Sequence, residues 1–215
     1  MRTIRFIHVF CLAASLAGSA TAFADTDADA ALDDIRHKWA TVSYRTAEDD
    51  QEKAMKALSE EVAALVQKYP NDAALLAWRG IVLSTYAKVK GGLGAIDVAQ
   101  QALDVLNAAA KLDERAIGGG IDSSIGALYH KVPGWPLGFG DDDLAKQYLE
   151  KGVALNPTGI DENFFYGDFL LDKGKDEDAR KYLEQALQAP SRPGREDADA
   201  GRRLEIQADL AKLKS

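Results

Sequence analysis

The sequence predicts an all-α fold: a right-handed array of helical hairpins, about four in number, closed by a C-terminal capping helix. Three observations carry that expectation. Leu58, Val62, Leu65, Val66 and Tyr69 follow the i, i+4, i+7, i+8, i+11 spacing that puts one apolar stripe along a helix. The segment Tyr86-Ala87-Lys88-Val89-Lys90-Gly91 returns as Tyr129-His130-Lys131-Val132-Pro133-Gly134, with Tyr, Lys, Val and Gly coinciding at a spacing of 43. No period-two alternation runs long enough for a strand.

The N-terminal 24 residues read differently from the rest. Arg2 and Arg5 precede an apolar run from Phe6 to Ala17, and Ala22-Phe23-Ala24 offers small residues around a cleavage point before the acids that start at Asp25. That is the layout of a secretory signal peptide. The apolar run is shorter than the ~20 residues of a spanning helix. The expectation is an exported, periplasmic protein with a leader at 1–24 and one repeat domain at 25–215. Cys11 follows the bulky Phe10, which does not suit a lipoprotein cysteine, so it leaves with the leader. An exported chain without cysteine relies on its apolar core rather than on disulfides.

A chain of 215 residues, 47% hydrophobic, is long enough for one such core. Removal of Arg2 and Arg5 takes the formal charge from −8 to −10. That balance argues against nucleic-acid binding and an anionic-membrane surface, and the short apolar run argues against membrane insertion.

Taken in order, helices are expected at about 28–45 and 48–69, 71–89 and 94–112, 119–131 and 141–155, 160–173 and 175–189, and 196–213. Pro70, Pro157 and Pro190 mark ends, because the residue before a proline is pushed out of the helical region. Asp141-Asp142-Asp143 reads as a helix start, capped and favoured by the helix dipole, rather than as a calcium loop, whose spaced acids and closing Glu are missing. The last helix places Ile206, Leu210 and Leu213 on one side, with Arg202, Arg203, Glu205, Asp209 and Lys212 expected on a polar outer face.

The 43-residue shift also carries Ala102 to Ala145, Leu106 to Leu149 and Ala109 to Gly152; a shift of 34 then carries Ala145, Leu149 and Gly152 to Ala179, Leu183 and Ala186. Arg79-Gly80, Ile125-Gly126 and Tyr166-Gly167 recur in the preceding helices. The small residues are expected where two helices touch, since only they permit close ridge-into-groove packing. With this unit length and the Gly, Ala and terminal Pro positions, the chain resembles the tetratricopeptide repeat (TPR) family. Aromatic positions of the family pattern are often aliphatic here, and two repeats are stretched. The resemblance implies a non-catalytic interaction protein that receives a protein or peptide partner on a concave face. Its groove positions fall on Ser123, His130 and Lys131 in one repeat, and on Phe164, Asp168 and Asp172 in the next. More loosely, the chain resembles the T component of tripartite ATP-independent periplasmic (TRAP) transporters. That implies an accessory subunit holding a small apolar or organic-acid ligand beside a substrate-binding protein.

The step from the helical Gly to the helical Ala is 12 residues for 167–179, 19 for 126–145 and 22 for 80–102. The excess is assigned to the turns that join paired helices, so two loops should emerge on one edge, where repeat insertions often bind. One is Lys90-Gly91-Gly92-Leu93-Gly94. The other, Val132 to Gly140, contains Trp135, Leu137 and Phe139 along with two prolines. It either folds back as a plug between hairpins or walls a site. The candidate binding edge is Trp135 with Tyr129, His130, Lys131, Phe164 and Asp168. His37 is expected to be solvated, and His130 to satisfy last-turn carbonyls. No nucleophile, metal-ligand or phosphate-loop motif is present, so neither an enzyme nor a cofactor is expected.

Overall fold

A computed structural model describes residues 19–213, with side chains from Asp27 onward. Residues 1–18, which hold Cys11 and most of the expected leader, lie outside the described residues. Among those described, the elements are α1 (Ser19–Tyr44), α2 (Glu48–Lys68), α3 (Ala73–Lys90), α4 (Gly94–Asp113), α5 (Gly120–Lys131), α6 (Asp142–Leu155), α7 (Ile160–Asp172), α8 (Asp176–Leu187) and α9 (Glu196–Lys212). No strand occurs among them; Gly134 and Gly140 share an isolated bridge. None of these helices is long and apolar enough to cross a membrane. The helical-hairpin array is therefore the fold, and its bounds follow the expected ones except that α1 begins at Ser19.

The starts and stops have local causes. Asp72 caps α3 by accepting from the Leu75 amide, and Asp141 caps α6 by accepting from the amides of Asp143 and Leu144. The three aspartates are thus a helix start. The helices α2, α6 and α8 end at Lys68, Leu155 and Leu187, just before Pro70, Pro157 and Pro190.

Pairing within hairpins rests on the recurring glycines. A β-carbon on Gly80 would lie 2.5 Å from Leu106, one on Gly126 2.6 Å from Leu149, and one on Gly167 2.8 Å from Leu183. The same contact is made three times by equivalent residues, which establishes the register read from the 43- and 34-residue spacings. Three apolar cores follow: α1–α3 around Trp39 and Trp78, α3–α6 around Leu106 and Ile125, and α6–α9 around Leu149 and Leu183.

The stretched repeats are stretched in different ways. Ten residues follow Gly80 to the end of α3, against five from Gly167 to the end of α7. Eight precede Ala102 in α4, against three before Ala179 in α8. Only residues 91–93 join α3 to α4, so the excess assigned to the turn lies instead in the helices, as the expected bounds 71–89 and 94–112 place it, about 7.5 Å more on each arm at 1.5 Å per residue. In the α5–α6 hairpin both arms match α7–α8, and the whole excess lies in the connection between Lys131 and Asp142.

The expected polar outer face of α9 is also corrected. Ile206 and Leu213 are buried as anticipated, but so are Arg202 and Asp209. This helix packs against α1 and α7 as well as α8, so Arg202 and Asp209 face neighbours, while Arg203 and Glu205 are half-buried and Lys212 stays exposed. Gly201 allows the approach to α1, where a β-carbon would meet the Tyr44 ring at 2.3 Å. Tyr44 Oη donates to Glu205 at 3.1 Å, and Arg45 pairs with Asp197. The first and last helices of the array are thereby joined.

Candidate functional site

The odd-numbered helices line a cavity of about 1420 Å³ that is open to solvent. The helices α6 and α8 contribute nothing to its wall, and α2 contributes only Gln51. The start of α4 adds Ala95, Ile96 and Ala99, and otherwise this is the concave face of the array, with the second helices of the hairpins behind it.

Of the residues singled out from sequence, Lys131, Phe164 and Asp168 lie in the cavity wall. Lys131 Nζ bridges Asp168 at 2.8 Å and Asp172 at 2.7 Å, which ties α5 to α7. His130 faces the same carboxylate, with Nε2 2.9 Å from Asp172 Oδ2, and its ring meets Phe169 edge-on. It therefore pairs with α7 instead of capping its own helix. Burial, helped by the charge of Lys131, lowers the His130 pKa below its ordinary value. Neutral imidazole then donates from Nε2 to Asp172, leaving Nδ1 buried without a partner. Burial alone would raise the Asp172 carboxyl, but its bonds to Lys131 and His130 prevail and hold it below the usual range.

The ligand atoms of His130, Asp168 and Asp172 lie within 4.8 Å of one another, a grouping that sequence spacing did not disclose because two members come from α7. Their chemistry suits a divalent cation. The Lys131 ammonium, however, already bridges both carboxylates, so a metal would have to displace a charge-assisted pair.

Ser123 does not reach the groove. It is fully buried where α5 meets α6, and a β-carbon on Gly152 would strike its Oγ. Tyr129 is half-buried, stacked on Tyr148 at 5.8 Å and edge-on to Phe139. His37 is exposed as expected, and its Nδ1 donates to the Asp33 carbonyl.

The 132–140 loop is neither simply a plug nor simply a wall. Phe139 folds back into the α3–α6 core beside Tyr129. Trp135, in contrast, is 91% exposed and Leu137 62% exposed. The loop is held by its own backbone: Gly140 N donates to Pro133 O at 3.0 Å, and Asp141 N to Tyr129 O. Only glycine fits at Gly140, where a β-carbon would fall 1.9 Å from the Val132 carbonyl. Leu137, Val132 and Pro133 line the same cavity as Leu93 and Ile96 of the elongated α3–α4 hairpin, and Gly138 lies against both Val132 and Ile96. Leu93 is itself 76% exposed, so the rim is an apolar lip.

A charged pole, unanticipated from sequence, lies where α1, α7 and α9 meet. Arg202 donates to Asp161 at 2.8 Å and Glu205 at 2.6 Å, and its guanidinium covers Phe164 at 4.3 Å. Arg192 pairs with Asp161 at 2.7 Å and Asp199 at 2.6 Å. Burial would raise the Asp161 carboxyl, but Arg202, Arg192 and Arg195 outweigh it and hold the group far below the carboxylate range. Arg192 and Arg202 lie 31 and 41 residues from Asp161, and no motif links them.

No protein-family model and no curated protein matches the chain. Solved structures do resemble it. One is TTC0263, a thermophilic TPR protein from Thermus thermophilus, at a TM-score of 0.56 and 16% identity, with 89% of this chain and 95% of that one covered. Another is Pseudomonas aeruginosa PilF, at 0.37 and 14%, covering 89% and 93%. The likeness to TTC0263 is one of architecture, and on that architecture this chain carries the fold of a TPR protein.

Proposed function

We propose that the chain is an exported, non-catalytic interaction module whose concave face receives a segment of a protein partner, with Trp135 at the edge of contact. The observation that carries this reading is the cavity itself. At about 1420 Å³ and open to solvent, it is larger than the roughly 300–1,000 Å³ that encloses a drug-sized ligand. An extended or helical polypeptide segment suits such a trough better than a small apolar or organic-acid ligand does. The apolar lip of Leu93 and Leu137 supports it, and Trp135, outside the cavity wall on the same fixed loop, offers exposed contact area at little ordering cost. The predicted leader supports export to the periplasm, with a mature N-terminus at Asp25 that intact-mass measurement would check.

A photo-crosslinking residue placed at position 135 in the cell is expected to capture a discrete protein. The same residue at Lys181, on α8 away from the cavity, should capture none. Identical patterns from both positions, or none from 135, would sink the reading.

A further inference from the structure

One guanidinium at the charged pole makes no ion pair there, although its charge acts on Asp161. Arg192 and Arg202 each hold two carboxylates, whereas Arg195 enters none of those pairs. Its Nε has no hydrogen-bond partner. The guanidinium lies over the Trp78 ring at 4.9 Å, and Arg36 of α1 approaches the same ring at 5.7 Å, its Nη1 paired with the exposed Asp33 at 2.8 Å and its Nε unpartnered. Burial, with the charge of Arg192, draws Arg195 down to about 10, so the cation persists at neutral pH in a setting that disfavours it. Unfilled donors on desolvated cations cost stability. Stacking on an indole does not require the charge, since an apolar side chain would cover Trp78 too.

We propose that Arg195 and Arg36 form an anion subsite at one pole of the concave face, taking a carboxylate of an acidic, extended polypeptide segment whose apolar end reaches the Leu93–Leu137 lip. This rests on the groove reading above and specifies its partner. Planar guanidinium forks match a carboxylate in bidentate geometry. A side pocket of about 100 Å³ between Arg36, His37, Gly194 and Arg195 leaves room for the group. Glu196 and Asp197 also border that pocket, and the chain is acidic overall at −8, so recognition is local and short-ranged. The distance sets the length of the ligand. From Trp78 to Lys90 is twelve residues of α3, about 18 Å at 1.5 Å per residue, which five or six extended residues span.

The test uses the mature chain and end-capped, fluorescent hexapeptides carrying two leucines at one end and two glutamates at the other, made in both sequence directions. One direction is expected to bind saturably and at least tenfold more tightly than its glutamine analogue. A capped-amine glutamine peptide with a free terminal carboxylate shows whether the chain end serves in place of the side chains. Arg195→Met should abolish the preference for acid while leaving the unfolding midpoint unchanged or raised. Equal binding of glutamate and glutamine peptides overturns the anion subsite and leaves the groove reading standing. A lowered midpoint with the preference intact also overturns it, because Arg195 would then serve the fold alone. Binding of no peptide overturns both readings.

Discussion

The α3–α4 and α5–α6 hairpins received insertions of similar size and used them in opposite ways. In α3–α4 the extra residues, drawn from Tyr86-Ala87-Lys88-Val89-Lys90 and Gly94-Ala95-Ile96-Asp97-Val98, contain no proline and continue the helical hydrogen bonding. In α5–α6 the corresponding stretch holds Pro133 and Pro136 among Gly134, Gly138 and Gly140. Proline removes a donor and clashes with the preceding turn, and glycine pays more backbone entropy, so neither arm can lengthen. The first insertion raises a stiff arm and the second folds against it. Together they build a lip on one edge that neither makes alone.

The comparison breaks most severely at the glycine contacts. Gly126→Leu is expected to cost about 3 kcal/mol by overpacking, because its β-carbon would meet both the Leu149 side chain and the Leu149 backbone nitrogen at 3.0 Å. Gly80→Leu should cost less, since its nearest contacts are Leu106 side-chain atoms that shift more easily. Urea denaturation ranks the two, and a wild-type midpoint for Gly126→Leu would contradict the assigned packing. Next in size is Phe139→Ala, expected at about 1–2 kcal/mol for a partly buried aromatic. If Phe139→Ala is silent, the loop is not anchored through the core.

Acid sharpens the contrast more gently, because α5–α6 is tied to α7 through titrating groups. The folded pKa of His130 is lowered, so the unfolded chain binds its proton first. The stability it contributes is present above about 6.5 and is lost as pH falls below that value. Asp172, also lowered, adds a loss at more acidic pH, as its own carboxyl protonates. Amide exchange is expected to quicken at α5 and α7 between pH 7.5 and 5.5 while α3 and α4 hold steady, once the intrinsic pH dependence of exchange is divided out, and His130→Gln should remove the difference. Uniform acceleration across all four helices would refute it. Smallest of all, Trp135→Ala should leave the stability within about 0.5 kcal/mol of wild type in a thermal melt, as an exposed side chain does.

Local rules made much of this legible. Period, capping acids and prolines are near-neighbour signals, so helix bounds and the Gly80, Gly126 and Gly167 contacts followed from the residues themselves. Ser123 was misplaced because a groove position differs from a buried one by a fraction of a helical turn, about 100° per residue. The excess in α3–α4 was assigned to the turn, against the expected helix bounds themselves, because a Gly-to-Ala interval counts residues without saying whether they coil. Arg192, Arg195 and Arg202 gave no signal at all. Their meaning depends on α9 returning to α1 and α7, and nothing in the local sequence of α9 announces that return.

That return changes how the molecule comes apart. In a linear stack each end unit has one neighbour, so unfolding frays inward from either terminus, one interface at a time. Here Tyr44, Gly201, Arg45 and Asp197 fasten the first helix to the last. An end can loosen only by giving up a second interface, so the array should melt as one cooperative unit rather than as a zipper.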